Sequence, residues 1–213
     1  MTFGQKNGIN GHNVMMYFRI FILIQIFLYP FITYNGYSEK IFWLKQSNIK
    51  EIIKFEKDFK SDFLVKNEMI SSYYLPDIDK YELAKPIIAR RDNLLPLYTQ
   101  YYYSKQDSIV RCIIYDFEVG RYENYDKKEK IWKEEAKKLE TYDSLYNKYR
   151  RNLTERIGTP KFSDEIPVKV KSKWDNDYYL NRDTEWDNSK LNAKLNLIFA
   201  DNTYRIRFSI YWK

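Results

Sequence analysis

Apolar and polar positions alternate without a break along the last 23 residues of the chain. Leu191, Ala193, Leu195, Leu197 and Phe199 are separated by Asn192, Lys194, Asn196 and Ile198; beyond Ala200-Asp201-Asn202-Thr203, the residues Tyr204, Ile206, Phe208, Ile210 and Trp212 are separated by Arg205, Arg207, Ser209 and Tyr211. A period of two marks a strand with one buried face, and Asp-Asn is turn composition. A two-residue loop at Asp201-Asn202, or a four-residue loop over 200–203, pairs Phe199 with Tyr204, Leu197 with Ile206, Leu195 with Phe208, Ala193 with Ile210 and Leu191 with Trp212. A three-residue loop would set each apolar residue opposite a polar one, which a buried face forbids. Each cross-strand pair contributes about 0.2–1 kcal/mol. The larger stabilising term is burial of the whole apolar face, which needs a second layer.

The pattern elsewhere predicts what that layer is. Asn48 with Glu51 has the form of a capping box, and Ile52, Phe55, Phe59 and Phe63 follow at helical spacing, which predicts a helix over about 48–60. Pro76, Pro86 and Pro96, with Asp77, Asp79 and Asp92 between them, predict an irregular 61–95. Leu97 to Tyr103 and Ile109 to Phe117 read as a second hairpin around 104–108. Its second strand is apolar on both faces and so belongs at the centre of a sheet. Asp126 and Glu129 form another capping box, and Trp132, Ala136, Leu139, Tyr142, Tyr146, Tyr149, Leu153 and Ile157 recur every three or four residues up to Gly158 and Pro160. This predicts one helix over 126–157, roughly 45 Å long. A compact domain of this size is about 40 Å across, so the helix either spans it or bends near Thr141–Ser144. Ile166, Val168 and Val170 predict a short strand, and 174–190 an acidic, aromatic loop. The expected fold class is α+β: one antiparallel sheet of about 4–5 strands, with one long helix packed across its apolar face and a shorter N-terminal helix.

The first 38 residues differ from the rest. Lys6 and Arg19 are their only charged residues, and Arg19 precedes the apolar run Ile20 to Tyr34, which is interrupted by Gln25 and Pro30. That run is short for a membrane span of about 20 residues and fits a secretory leader, with small residues at Gly36 and Ser38 placing cleavage before Glu39. The expected organisation is a signal peptide (or uncleaved N-terminal anchor) over 1–38 and a single α+β domain over 39–213. The protein would then be exported, periplasmic or secreted, and it would meet a membrane only through the N-terminal segment if that stays in place.

Cleavage removes Lys6, Arg19, the single histidine, His12, and four of the six glycines, so the formal net charge falls from +7 to +5. Without histidine a Ser-His-Asp site and a histidine-ligated zinc are excluded. With only Gly120 and Gly158 left, a phosphate-cradling or dinucleotide loop is excluded as well. Cys112 alternates with Val110 and Ile114 and reads as a buried thiol. Asp175 and Asp177 begin like a calcium loop but lack its glycine and spaced glutamate, so no cofactor is expected. Acidic and basic residues are interspersed, so the charge serves solubility and not nucleic acid. These exclusions point to a non-enzymatic binding protein of the cell envelope, with a protein or glycan partner. Its candidate binding residues are Lys194, Arg205, Arg207 and Tyr211, on the polar face of the ribbon. The alternative is a hydrolase using carboxylates of 174–187, with Trp174 and Trp186 stacking on sugar.

Overall fold

The computed structural model describes residues 41–172, 177–200 and 202–213. The chain divides into two compact units, Met1–Trp43 and Leu44–Lys213. The leader expected over 1–38 lies outside the described residues; everything below concerns the second unit.

Nine strands form one open antiparallel sheet in the order β1-β2-β3-β4-β9-β8-β7-β5, with β6 also paired to β7. They are β1 (Asp62–Leu64), β2 (Ile87–Arg91), β3 (Leu97–Tyr103), β4 (Val110–Glu118), β5 (Phe162–Ser163), β6 (Val168–Lys171), β7 (Tyr178–Asp187), β8 (Leu191–Ala200) and β9 (Thr203–Trp212). Three helices accompany them: α1 (Ile49–Asp58), α2 (Tyr125–Glu135) and α3 (Leu139–Ile157). The expectation of four or five strands beneath one long helix is therefore corrected: the fold is mostly sheet, and its helices are short.

The β8–β9 ribbon has the predicted register, with Leu191↔Trp212, Leu195↔Phe208 and Phe199↔Tyr204 opposite one another and Ala200↔Thr203 as the last pair. The hairpin of β3 and β4 stands beside it, with Tyr115 opposite Phe208 and Phe117 opposite Ile206 across the β4–β9 seam. One face of the sheet is therefore a continuous apolar surface. Tyr142, Leu145, Tyr146, Tyr149 and Leu153, at three- and four-residue spacing along α3, cover it. The Tyr149 ring stacks on Phe117 with centroids 4.5 Å apart, and the Tyr146 hydroxyl lies 2.8 Å from Thr184 Oγ1. Helix α1 docks on the β2–β3 part of this face through a buried ion pair. Arg91 donates to both oxygens of Glu56 at 2.9 and 2.6 Å, and Tyr101 and Ser61 donate to the same carboxylate.

Three further expectations are corrected. The helix predicted over 126–157 is interrupted at 136–138, upstream of Thr141, and its first segment is capped by Asn124, not Asp126. No proline or glycine forces the break. Glu135 is buried at the end of α2, where it accepts from Tyr142 of α3 at 2.7 Å and from Lys138 at 2.7 Å, so the two segments fold toward one carboxylate. A straight helix would keep Glu135 and Tyr142 two turns apart. The segment 61–95 contains β1 and β2. Much of the loop predicted over 174–190 is the ten-residue strand β7. There Arg182 and Thr184 occupy positions on the covered face, which hides the alternation. Arg182 can be buried there because it donates to Asp143 at 2.6 Å and to the carbonyls of Asp164 and Glu165, and lies over the Tyr146 ring.

Candidate functional site: a polar groove on the second face

The opposite face of the sheet is treated differently along its width. Over β3 and β4 it is apolar: Tyr102, Cys112 and Ile114 pack under Leu75, with Ile70, Tyr74, Ile78, Tyr81 and Leu83 completing a roof drawn from the proline-punctuated segment. Over β7, β8 and β9 it is polar, and among the described residues no such roof covers it. Where the roof stops, a groove of about 300 Å³ opens between Tyr73 and Tyr74 on one side and Tyr179 and Asn181 on the other, floored by Asp183, Lys194, Asn196, Arg205, Arg207 and Ser209. The floor is made by sheet geometry alone, since alternate residues of three neighbouring strands point the same way.

Most charges in this floor are already matched. Lys194 donates to Asp183 at 3.0 Å and to Glu185 at 2.9 Å, which holds its ammonium pKa above the ordinary value despite burial. Asn196 donates to Asn181 at 2.8 Å and to Asp183 at 2.6 Å. Arg207 forks onto Asp116, Nε to Oδ1 at 2.5 Å and Nη2 to Oδ2 at 3.0 Å, and its remaining nitrogen donates to the Tyr74 hydroxyl. Arg121 approaches the same carboxylate at 2.8 Å. Burial alone would raise the Asp116 pKa, but the facing guanidinium groups of Arg207 and Arg121 outweigh it and hold the carboxyl below the usual range.

Arg205 is the exception. Among the described residues no carboxylate oxygen lies within ion-pair distance of it, and its buried Nε has no hydrogen-bond acceptor. A buried donor without a partner costs about 1–3 kcal/mol. Burial, and then the like charge of Arg207, lower its pKa; the more distant Asp116 and Glu118 only partly offset them.

No family model, curated protein or solved structure matches this chain. Its chemistry therefore has to be read from the groove itself.

Of the four candidates named from the sequence, Lys194, Arg205 and Arg207 are brought together in the groove. Tyr211 is not among them; it packs against the Leu75 cluster beneath the roof. Sequence reasoning missed Tyr73, Tyr74, Tyr179, Asn181 and Asp183 as partners of the ribbon, because the roof and β7 reach it only through tertiary structure. Among the described residues no group of three or more histidine, cysteine, aspartate or glutamate side chains could hold a metal; Asp175 lies outside those residues, and Asp177 precedes β7. Trp186 cannot stack on a ligand, since it is fully buried on the other face and its indole N–H donates to the Gly158 carbonyl at 3.0 Å. Cys112 is buried, and burial pushes its thiol pKa well up. No described helix is long and apolar enough to cross a membrane.

Proposed function

We propose that this chain is an exported, non-enzymatic binding protein and that it holds a saccharide in the groove over β7, β8 and β9. The observation that carries this reading is the composition of the groove. Small-molecule sites span about 300–1,000 Å³ and are mostly apolar. This one is at the small end, and its lining is tyrosine, amide, guanidinium and hydroxyl groups with the Lys194 ammonium and the Asp183 carboxylate, and with Ile198 as the only aliphatic side chain among those lining it. Such a lining suits a ligand that brings many hydroxyl groups and one apolar ring face. The largely exposed Tyr73 ring at the rim, held edge-on to Tyr74 at 4.9 Å, offers that face a partner. A protein partner would have to bury about 800 Å² on each side, and a concavity this small favours a compact ligand instead.

Binding is favoured over hydrolysis by the state of the carboxylates. Glycoside hydrolysis needs one carboxyl to donate a proton and another free to act as base or nucleophile. Asp183 and Glu185, the acids of β7 nearest the groove, both accept from the single ammonium of Lys194. The exported location rests on the character of residues 1–38; a soluble envelope species whose intact mass begins near Glu39 is the expected result.

The test is titration calorimetry against neutral and acidic monosaccharide glycosides, repeated on Ser209→Trp, which fills the groove from its floor without entering the core. Wild type should bind at least one sugar, and the variant none. Absence of binding across the panel up to about 10 mM, about tenfold above a 1 mM dissociation constant, or binding that survives the Ser209→Trp block, would remove the proposal.

A further inference from the structure

We infer that the saccharide held in this groove carries a carboxylate, and that Arg205 receives it. The inference rests on the groove being a sugar site and adds which sugar it selects. Four observations lead to it. Arg207 is committed to Asp116 and Tyr74. Lys194 is committed to Asp183 and Glu185. Asn196 spends its amide on Asn181 and Asp183. Among the described residues Arg205 is the one groove-lining cation with no carboxylate in ion-pair contact and no acceptor for its Nε, its cross-strand neighbour Glu118 being drawn to Arg121 instead.

A guanidinium presents parallel N–H donors at the spacing of a carboxylate's two oxygens, and it is more weakly hydrated than an ammonium, so it gives up water at low cost. Arg205 offers its fork to one carboxylate, and because Asp183 and Glu185 share the single ammonium of Lys194 the floor has no positive charge left for a second. The carboxylates already in the floor, Asp183 and the Asp116 beneath Arg207, would repel the second charge of a phosphate dianion. A sugar with a single planar acid group meets both conditions. Tyr73 and Tyr179 then flank the sugar ring while the acid points down to β9.

The experiment compares methyl glucuronoside and methyl galacturonoside with methyl glucoside, methyl galactoside and methyl glucoside 6-sulfate, by calorimetry on the wild-type chain at low and high salt. The acidic glycosides should bind at least tenfold more tightly than the neutral ones, with a preference that shrinks as salt rises. Arg205→Gln should bring the affinities for acidic and neutral glycosides to within about twofold of each other. Thermal melts establish that the variant is folded, and the wild-type comparison stands without it. Equal affinity for acidic and neutral glycosides overturns the carboxylate inference and leaves the sugar site standing. A sulfate ester bound better than the uronates overturns it in favour of a tetrahedral anion. A preference that persists in Arg205→Gln overturns the assignment to that residue. Binding of none of the five overturns the sugar site and this inference together.

Discussion

Asp116 is the residue whose removal should be felt most widely for its size. It is fully buried on the groove side of β4 and compensates two guanidinium groups at once, Arg207 from β9 and Arg121 from the turn after β4. In Asp116→Asn the shape is kept and the charge lost. Arg121 still has Glu118 at 3.2 Å. Arg207, 13% exposed, keeps the Tyr74 hydroxyl and ring and one neutral amide oxygen but no counter-charge in contact. Breaking a buried pair by removing one partner costs about 3–5 kcal/mol, because the other charge stays buried and unmatched. For a domain of this size that corresponds to a fall in Tm of about 6–20 °C. The reverse change, Arg207→Met, should cost less, about 1.5–3 kcal/mol, because Asp116 retains Arg121. The double variant should fall short of the sum of the two by about 0.5–3 kcal/mol. Urea unfolding followed by tryptophan fluorescence, to which the buried Trp186 contributes, measures all three. The pH dependence follows from the same contacts. The folded pKa of Asp116 lies below its unfolded value, so its contribution is complete above about pH 4. It is lost as the pH falls through the folded pKa, and the Asp116→Asn variant should lack that component of acid sensitivity. A midpoint for Asp116→Asn within error of wild type, at unchanged m-value, would refute the account of the groove floor as a charge-matched lattice.

Three further outcomes are expected. Arg91→Met should destabilise the domain by about 3–5 kcal/mol, since Glu56 would remain buried with only the Tyr101 and Ser61 hydroxyls, whereas Lys133→Met, at the exposed pair with Glu129, should leave the urea midpoint within error of wild type. Gly120→Ala places a side chain where φ is +71° and its Cβ would sit 2.5 Å from Ile131 Cδ1; a loss of about 1–3 kcal/mol is expected, measurable by thermal melt. Cys112 should be unreactive toward a thiol reagent at pH 8 in the native state, because its thiol is buried and its pKa raised, and should react at the rate of unfolding when urea is added; immediate labelling would contradict its burial.

The ribbon was legible pair by pair because both its strands put most of their apolar residues on one face, Ile198 and Tyr211 lying on the other, and only one parity of register satisfies that. The β3–β4 hairpin was legible for a related reason: a strand apolar on both faces has to lie inside a sheet, and β4 does. What escaped were elements whose buried positions are polar. Arg91 ends β2 inside the apolar layer because Glu56 waits for it on α1, and Arg182 lies under α3 because Asp143 and two carbonyl groups receive it. A period count scores both as breaks in a strand, since the partners that make burial tolerable lie 35 and 39 residues away. The interruption after Glu135 was hidden in the same way, by a carboxylate whose hydroxyl partner is on the next helix. For the groove, the ribbon's basic residues could be placed on one face from alternation alone. Which of them is neutralised depends on Asp116, Asp183 and Glu185 arriving on β4 and β7, and only the folded arrangement singles out Arg205.

The seam between β4 and β9 also governs when this domain can form. Strands β1 to β4 come from one stretch of chain and β5 to β9 from another, and they pair along the β4–β9 seam, where Asp116 faces Arg207, 91 positions away in sequence. Such distant pairing is entropically slow to find. Until β9 has left the ribosome, β4 presents an unpaired edge with no neighbour to close it. A nascent chain lacking β9 is therefore an incomplete sheet, and β9 works as the latch that closes it.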